Sequence, residues 1–122
     1  MNLTCRHLPG ATLIAVAGEV DTTTSTHLED YIDQQRERLD QHLIIDMSEL
    51  SFLDSSGLAV LLAAATLARA HGVGVHLAGL RPMPARLLEI TGARRAVTVY
   101  DHVEQAIAAV EALNLVNPSE RA

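Results

Sequence analysis

Near its centre the chain carries an uninterrupted apolar run, Leu43-Ile44-Ile45, within the segment His42 to Met47. A run this short, bounded by polar residues, suits a central strand covered on both faces better than a helix. That assignment restricts the fold. A strand buried on both sides needs helical layers to cover it and parallel neighbours reached through crossovers.

The flanking sequence supplies both. Leu3 to Leu8 and Ala11 to Ala17 read as strands joined at Pro9-Gly10, a turn dipeptide, with Gly18 ending the second. After the Thr-rich entry Thr22 to Thr26, residues Leu28, Tyr31, Ile32, Gln35 and Leu39 share one helical face. A second helix is expected just after Asp54, with Leu58, Leu61, Leu62, Ala65 and Ala68 along its inner stripe and His71-Gly72 closing it. Val73 to Ala78 is the next strand. Pro82 and Pro84 fit the first turn of a third helix that Gly92 ends. Ala96 to Val99 forms a last strand. Asp101 then caps a final helix bearing Val103, Ala106, Ile107, Val110 and Leu113, with Glu104 placed as in a capping box. The expected order is ββαβαβαβα: one α/β domain over residues 1–116, a mostly parallel mixed sheet with an N-terminal hairpin and about four helices. Residues 117–122 form a polar tail.

Several functions are disfavoured by composition. A net charge of −6 with only 2% aromatic residues gives neither the clustered cations nor the stacking platform that nucleic acid requires. Every basic side chain is Arg, scattered except for Arg94-Arg95. No apolar run approaches the ~20 residues of a membrane span, and no basic-then-apolar leader opens the chain. The lone Cys5 suits a reducing compartment and reads as a half-buried strand residue. A cytoplasmic protein with a protein partner is the expectation. The six His show no paired helical spacing, so no metal site is expected. His71 and His76 are expected in solvated or capping roles. Gly72-Val73-Gly74 precedes a strand where a nucleotide loop would follow one, and no Lys is present to hold a phosphate. Asp46 and Asp54 could imitate a carboxylate pair, but no nucleophile stands between them. No catalytic residue and no cofactor is expected.

Function is most legible between Asp46 and Leu58. Asp54-Ser55-Ser56-Gly57 places two hydroxyls and free backbone N–H groups at an electropositive helix start. Taken alone, this pattern reads as helix capping. The longer pattern, Asp46-Met47-Ser48 followed by Asp54-Ser55-Ser56-Gly57-Leu58, closely resembles the signature of STAS domains, specifically the bacterial anti-sigma factor antagonists. A second element of that family, Gly-Glu-apolar-Asp after the second strand, stands here as Gly18-Glu19-Val20-Asp21. Met47 replaces the family's Leu.

The resemblance implies that Ser56 is phosphorylated by a partner that is both anti-sigma factor and serine kinase. Ser55 is the second choice for the phosphate, with capping as its structural role. Asp21, Asp54, Ser55, Ser56 and Gly57 are then the expected docking residues, Gly57 leaving room for another chain to approach. A PP2C-type phosphatase would remove the phosphate. Two alternatives belong to other classes: a STAS subunit of a lipid-transport complex or stress-sensing scaffold, and a small enzyme on an α/β scaffold.

Overall fold

The computed structural model describes residues 1–116, so the polar tail expected over 117–122 lies outside the described residues. β1 (Asn2–Leu8) and β2 (Ala11–Val20) form the hairpin, antiparallel from Asn2↔Ala17 to Leu8↔Ala11. The chain continues through α1 (Ser25–Gln35), β3 (His42–Leu53), α2 (Ser55–Ala70), β4 (Val75–Ala78), α3 (Pro82–Thr91), a 3-10 turn (Ala93–Ala96), β5 (Thr98–Tyr100) and α4 (Val103–Val116). The sheet runs β1-β2-β3-β4-β5, and every pairing after the hairpin is parallel. This is the expected α/β architecture.

The apolar run sits where it was placed. Leu43, Ile44 and Ile45 are fully buried, and alternation sends them to opposite faces of the sheet. Leu43 and Ile45 join Ile14, Leu28, Ile32, Leu61, Ala65 and Leu88 in the larger core, beneath α1, α2 and α3. Ile44 faces the other way, packing with Ala11, Leu13, Ala78, Ala106 and Val110 beneath α4. Burying each such aliphatic side chain contributes about 1.5–3 kcal/mol, which makes β3 the strand that unites both cores.

Several boundaries differ from expectation. Gly18 does not end β2: it adopts φ 96°, and the strand runs on to Val20 past two register irregularities. β3 likewise continues to Leu53, six residues beyond Met47. Helix α1 stops short of Leu39, which is 42% exposed. The reason is Arg36, whose backbone turns extended while its buried guanidinium donates from Nη2 to the Leu39 and Gln41 carbonyls. Strand β4 begins at Val75 instead of Val73, and the residues around Ala96 form the 3-10 turn, leaving only Thr98–Tyr100 as strand. Gly92 ends α3 in the left-handed conformation, as expected (φ 75°).

The cap of α4 is shifted by one residue. The His102 carbonyl accepts from the Gln105 and Ala106 N–H groups, and the Gln105 side chain accepts the His102 N–H at 3.0 Å. The capping pair is therefore His102 and Gln105, not Asp101 and Glu104. Leu113, placed on the inner face by its spacing, is 41% exposed.

Candidate functional site

β2 and β3 end side by side, with Val20 paired to Leu53, and each is followed by an aspartate and a helix. The Asp54 N–H donates to the Val20 carbonyl at 3.2 Å, tying the two strand ends together. Asp21 and Asp54 consequently stand as neighbours above the carboxyl ends of two parallel strands, a usual place for sites in such sheets.

Asp54 is the N-cap of α2. Its Oδ1 accepts the backbone N–H groups of Ser56 (2.9 Å) and Gly57 (3.2 Å), satisfying two of the helix's unpaired donors. The same oxygen accepts the Ser56 hydroxyl at 2.5 Å. That hydroxyl bond, helped by the two backbone donors, holds the Asp54 carboxyl below the ordinary carboxylate range against the opposing effects of desolvation and, last, the charge of Asp21. Ser56 thus presents a half-exposed oxygen whose proton is already directed onto a carboxylate. The capping role foreseen for Ser55 belongs to Asp54. Ser55 is the first residue of the helix and is exposed.

Gly57 faces inward and leaves no approach for another chain. A Cβ there would lie 2.5 Å from Leu53 Cδ1 and 2.6 Å from Val20 Cγ1, both on fully buried side chains. The glycine lets α2 sit down on the ends of β2 and β3, which fixes the height of Ser56 above them.

The start of α1 repeats the arrangement one strand away. Asp21 Oδ1 accepts the Thr23 N–H at 2.9 Å and the Thr23 hydroxyl at 2.6 Å, and these bonds lower its pKa. Thr23 was not singled out by the sequence reading. Its signal was present as a hydroxyl residue two positions after an aspartate, the spacing of Asp54 and Ser56.

A second polar cluster escaped sequence reasoning altogether. His76 is not solvated: it lies on β4, 4% exposed, beside His42 of β3. The Gly74 N–H donates to His42 Nδ1 at 3.1 Å, which makes that nitrogen an acceptor. His76 Nε2 then donates to it at 3.0 Å, and His76 Nδ1 accepts the Tyr100 hydroxyl, also at 3.0 Å. Burial, reinforced by His42, pushes the His76 pKa down to about 4, so His76 is a neutral ring at neutral pH. His71 does take a capping role, its Nδ1 lying 3.0 Å from the Leu67 carbonyl. Cys5 is half-buried as expected, and burial raises its pKa, with Glu37 adding to the effect.

Among the described residues no helix is long and apolar enough to cross a membrane, and no group of three His, Cys, Asp or Glu is arranged to hold a metal ion.

Residues 2–106 match the STAS domain family model. An anti-sigma F factor antagonist of Paenibacillus polymyxa is 26% identical over 115 residues, covering 93% of this chain and 98% of the relative. An anti-sigma-B factor antagonist of Listeria monocytogenes is 35% identical over 79 residues, 65% of this chain and 69% of the relative. Among solved structures, an anti-sigma factor antagonist from Mycobacterium paratuberculosis superposes with a TM-score of 0.76 at 25% identity, covering 90% of this chain and 93% of that one.

Proposed function

This chain belongs to the STAS domain family, and on that premise we propose that it is an anti-sigma factor antagonist switched by phosphorylation. The unmodified domain binds an anti-sigma factor that is also a serine kinase, and so frees a sigma factor. Phosphorylation of Ser56 ends the binding, and a PP2C-type phosphatase restores it. The domain itself is a cytoplasmic binding module without catalysis.

One observation carries this reading: the Ser56 hydroxyl stands at the mouth of α2, hydrogen-bonded at 2.5 Å to the ionised Asp54. The carboxylate aims the hydroxyl and holds its proton, which prepares the oxygen to accept a phosphoryl group. The modification adds about −1.5 to −2 charges at a helix N-terminus, where the fold tolerates them. The same charge stands beside Asp54 and close to Asp21, so it turns a docking rim into a repulsive one without disturbing the core. Ser56, Ser55, Asp54 and Asp21 form that rim, while Gly57 acts from beneath it as a spacer. Names borne by the relatives support the antagonist role.

The test is phosphosite mapping by mass spectrometry after incubation with the cognate anti-sigma kinase and ATP. Phosphate on Ser56 is expected, with none incorporated when the chain is given ATP alone. Phosphate on Ser55 only would move the site by one residue, and no incorporation at either serine would overturn the switch.

A further inference from the structure

Four of the nine arginines fall within one short segment of the chain. Arg81, Arg86, Arg94 and Arg95 lie on and just beyond α3, all exposed, and the segment 81–95 contains a single acid, Glu89. None of the four has an ion-pair partner among the described residues. Segment 81–95 therefore has four arginines against one glutamate, in a chain whose total charge is −6.

The same helix carries an uncovered apolar stripe. Met83, Leu87 and Ile90 are spaced i, i+4, i+7, so they share one face, and Arg86 completes it. Met83 is 40% and Ile90 70% exposed, and with Pro82 these residues line one shallow depression of about 450 Å³. Isolated exposed apolar side chains need no explanation, but a contiguous stripe that includes Arg86 and lies in a segment of net positive charge has the composition of an interface. The helix is anchored to the domain by Pro84 and Leu88, with Leu87 packing partly against the core, so the exposed Met83 and Ile90 are not needed to hold it in place.

We infer that α3 is a second docking surface, and that its occupant is an acidic amphipathic segment of a partner protein. Such a segment lays apolar anchors along Met83, Leu87 and Ile90 while its carboxylates meet Arg86, Arg94 and Arg95. Charge decides between this and a lipid surface. An anionic bilayer is an extended plane that would also face the acidic remainder of the domain, whereas a peptide segment meets the arginines alone. The inference does not depend on phosphorylation of Ser56.

The experiment uses a synthetic amphipathic helix with leucines at i, i+3 and i+7 flanked by glutamates, titrated into the full ¹⁵N-labelled chain. The expected result is saturable binding that shifts amide signals over residues 82–95. Adding salt should weaken it, and Ile90→Asp or the pair Arg86→Glu, Arg94→Glu should weaken it about tenfold or more. Ile90 and these arginines are exposed, so the variants should keep the wild-type melting temperature. Arg69→Glu, on α2, should leave binding unchanged. Four results would overturn the inference: no binding; binding indifferent to the α3 variants; phosphatidylglycerol vesicles captured through α3 in place of the peptide; or a concentration-dependent dimer that Ile90→Asp abolishes.

Discussion

The molecule contains two polar clusters built on opposite terms. At the start of α2, the half-buried Ser56 and Asp54 share a short hydrogen bond. At the far end of β3, His42, His76 and Tyr100 form a chain of hydrogen bonds inside the sheet, where both imidazoles are more than nine-tenths buried. A charge added at the first cluster should cost the fold little, because a helix N-terminus favours it. The second cannot accept one, since a proton added to His76 would break the hydrogen bond it accepts from Tyr100 and leave a cation in a low-dielectric layer. Accessibility, more than residue type, separates a group that can be switched from a group that holds strands together.

The largest expected effect breaks the buried cluster with acid. The unfolded chain protonates His76 near the ordinary value of 6.5, whereas in the folded chain that pKa is about 4. Between those values the unfolded state binds more protons. Stability is therefore complete above about pH 6.5 and is lost as pH falls towards 4, by on the order of 3 kcal/mol. Urea unfolding at a series of pH values should show this slope, and His76→Phe should remove most of it whatever its own baseline stability. An unchanged slope in that variant would mean that the carboxylates, and not this ring, govern acid sensitivity.

A smaller loss is expected beneath the exposed cluster. Gly57→Ala forces a methyl group against Leu53 and Val20, and overpacking of this kind costs about 1–3 kcal/mol. Denaturant midpoints should fall accordingly, and they should scarcely move for Ser55→Ala. If Gly57→Ala were neutral, α2 would have freedom to rise, and the height of Ser56 would not be set by packing. The smallest effect belongs to Ser56→Asp. The helix terminus favours the added charge by ~0.3–1 kcal/mol, and repulsion from Asp54 opposes it, so thermal unfolding should stay within a few degrees of wild type. A collapse there would place Ser56 with the structural residues.

The two clusters also differ in how well they could be read beforehand. Asp54 and Ser56 are two positions apart, so local sequence carries the whole interaction, and even the misassigned cap was wrong by only one residue. His42 and His76 are separated by 34 positions and meet only because Leu43 pairs with Val75 in the parallel register. No periodicity reports that. Strand ends were hidden for a related reason. In the extension of β3 the buried residues Met47, Leu50 and Leu53 recur every third position, because register irregularities between β2 and β3 break the alternation. The pattern no longer looks like a strand. Leu39 continued the apolar face of α1 on paper, but Arg36 turned the backbone first. The element order survived these errors because it depends on which segments are apolar and where Gly and Pro stand, not on exact ends.

The account's central claim is that charge at Ser56 governs docking while leaving the fold intact, and titration calorimetry against the cognate anti-sigma kinase tests it most directly. Ser56→Ala should bind as tightly as the unmodified chain. Ser56→Asp and the phosphorylated protein should bind more weakly by roughly thirtyfold to several thousandfold, the effect of about 2–5 kcal/mol for an unpaired charge in an interface. Equal affinities across all four forms would contradict the claim.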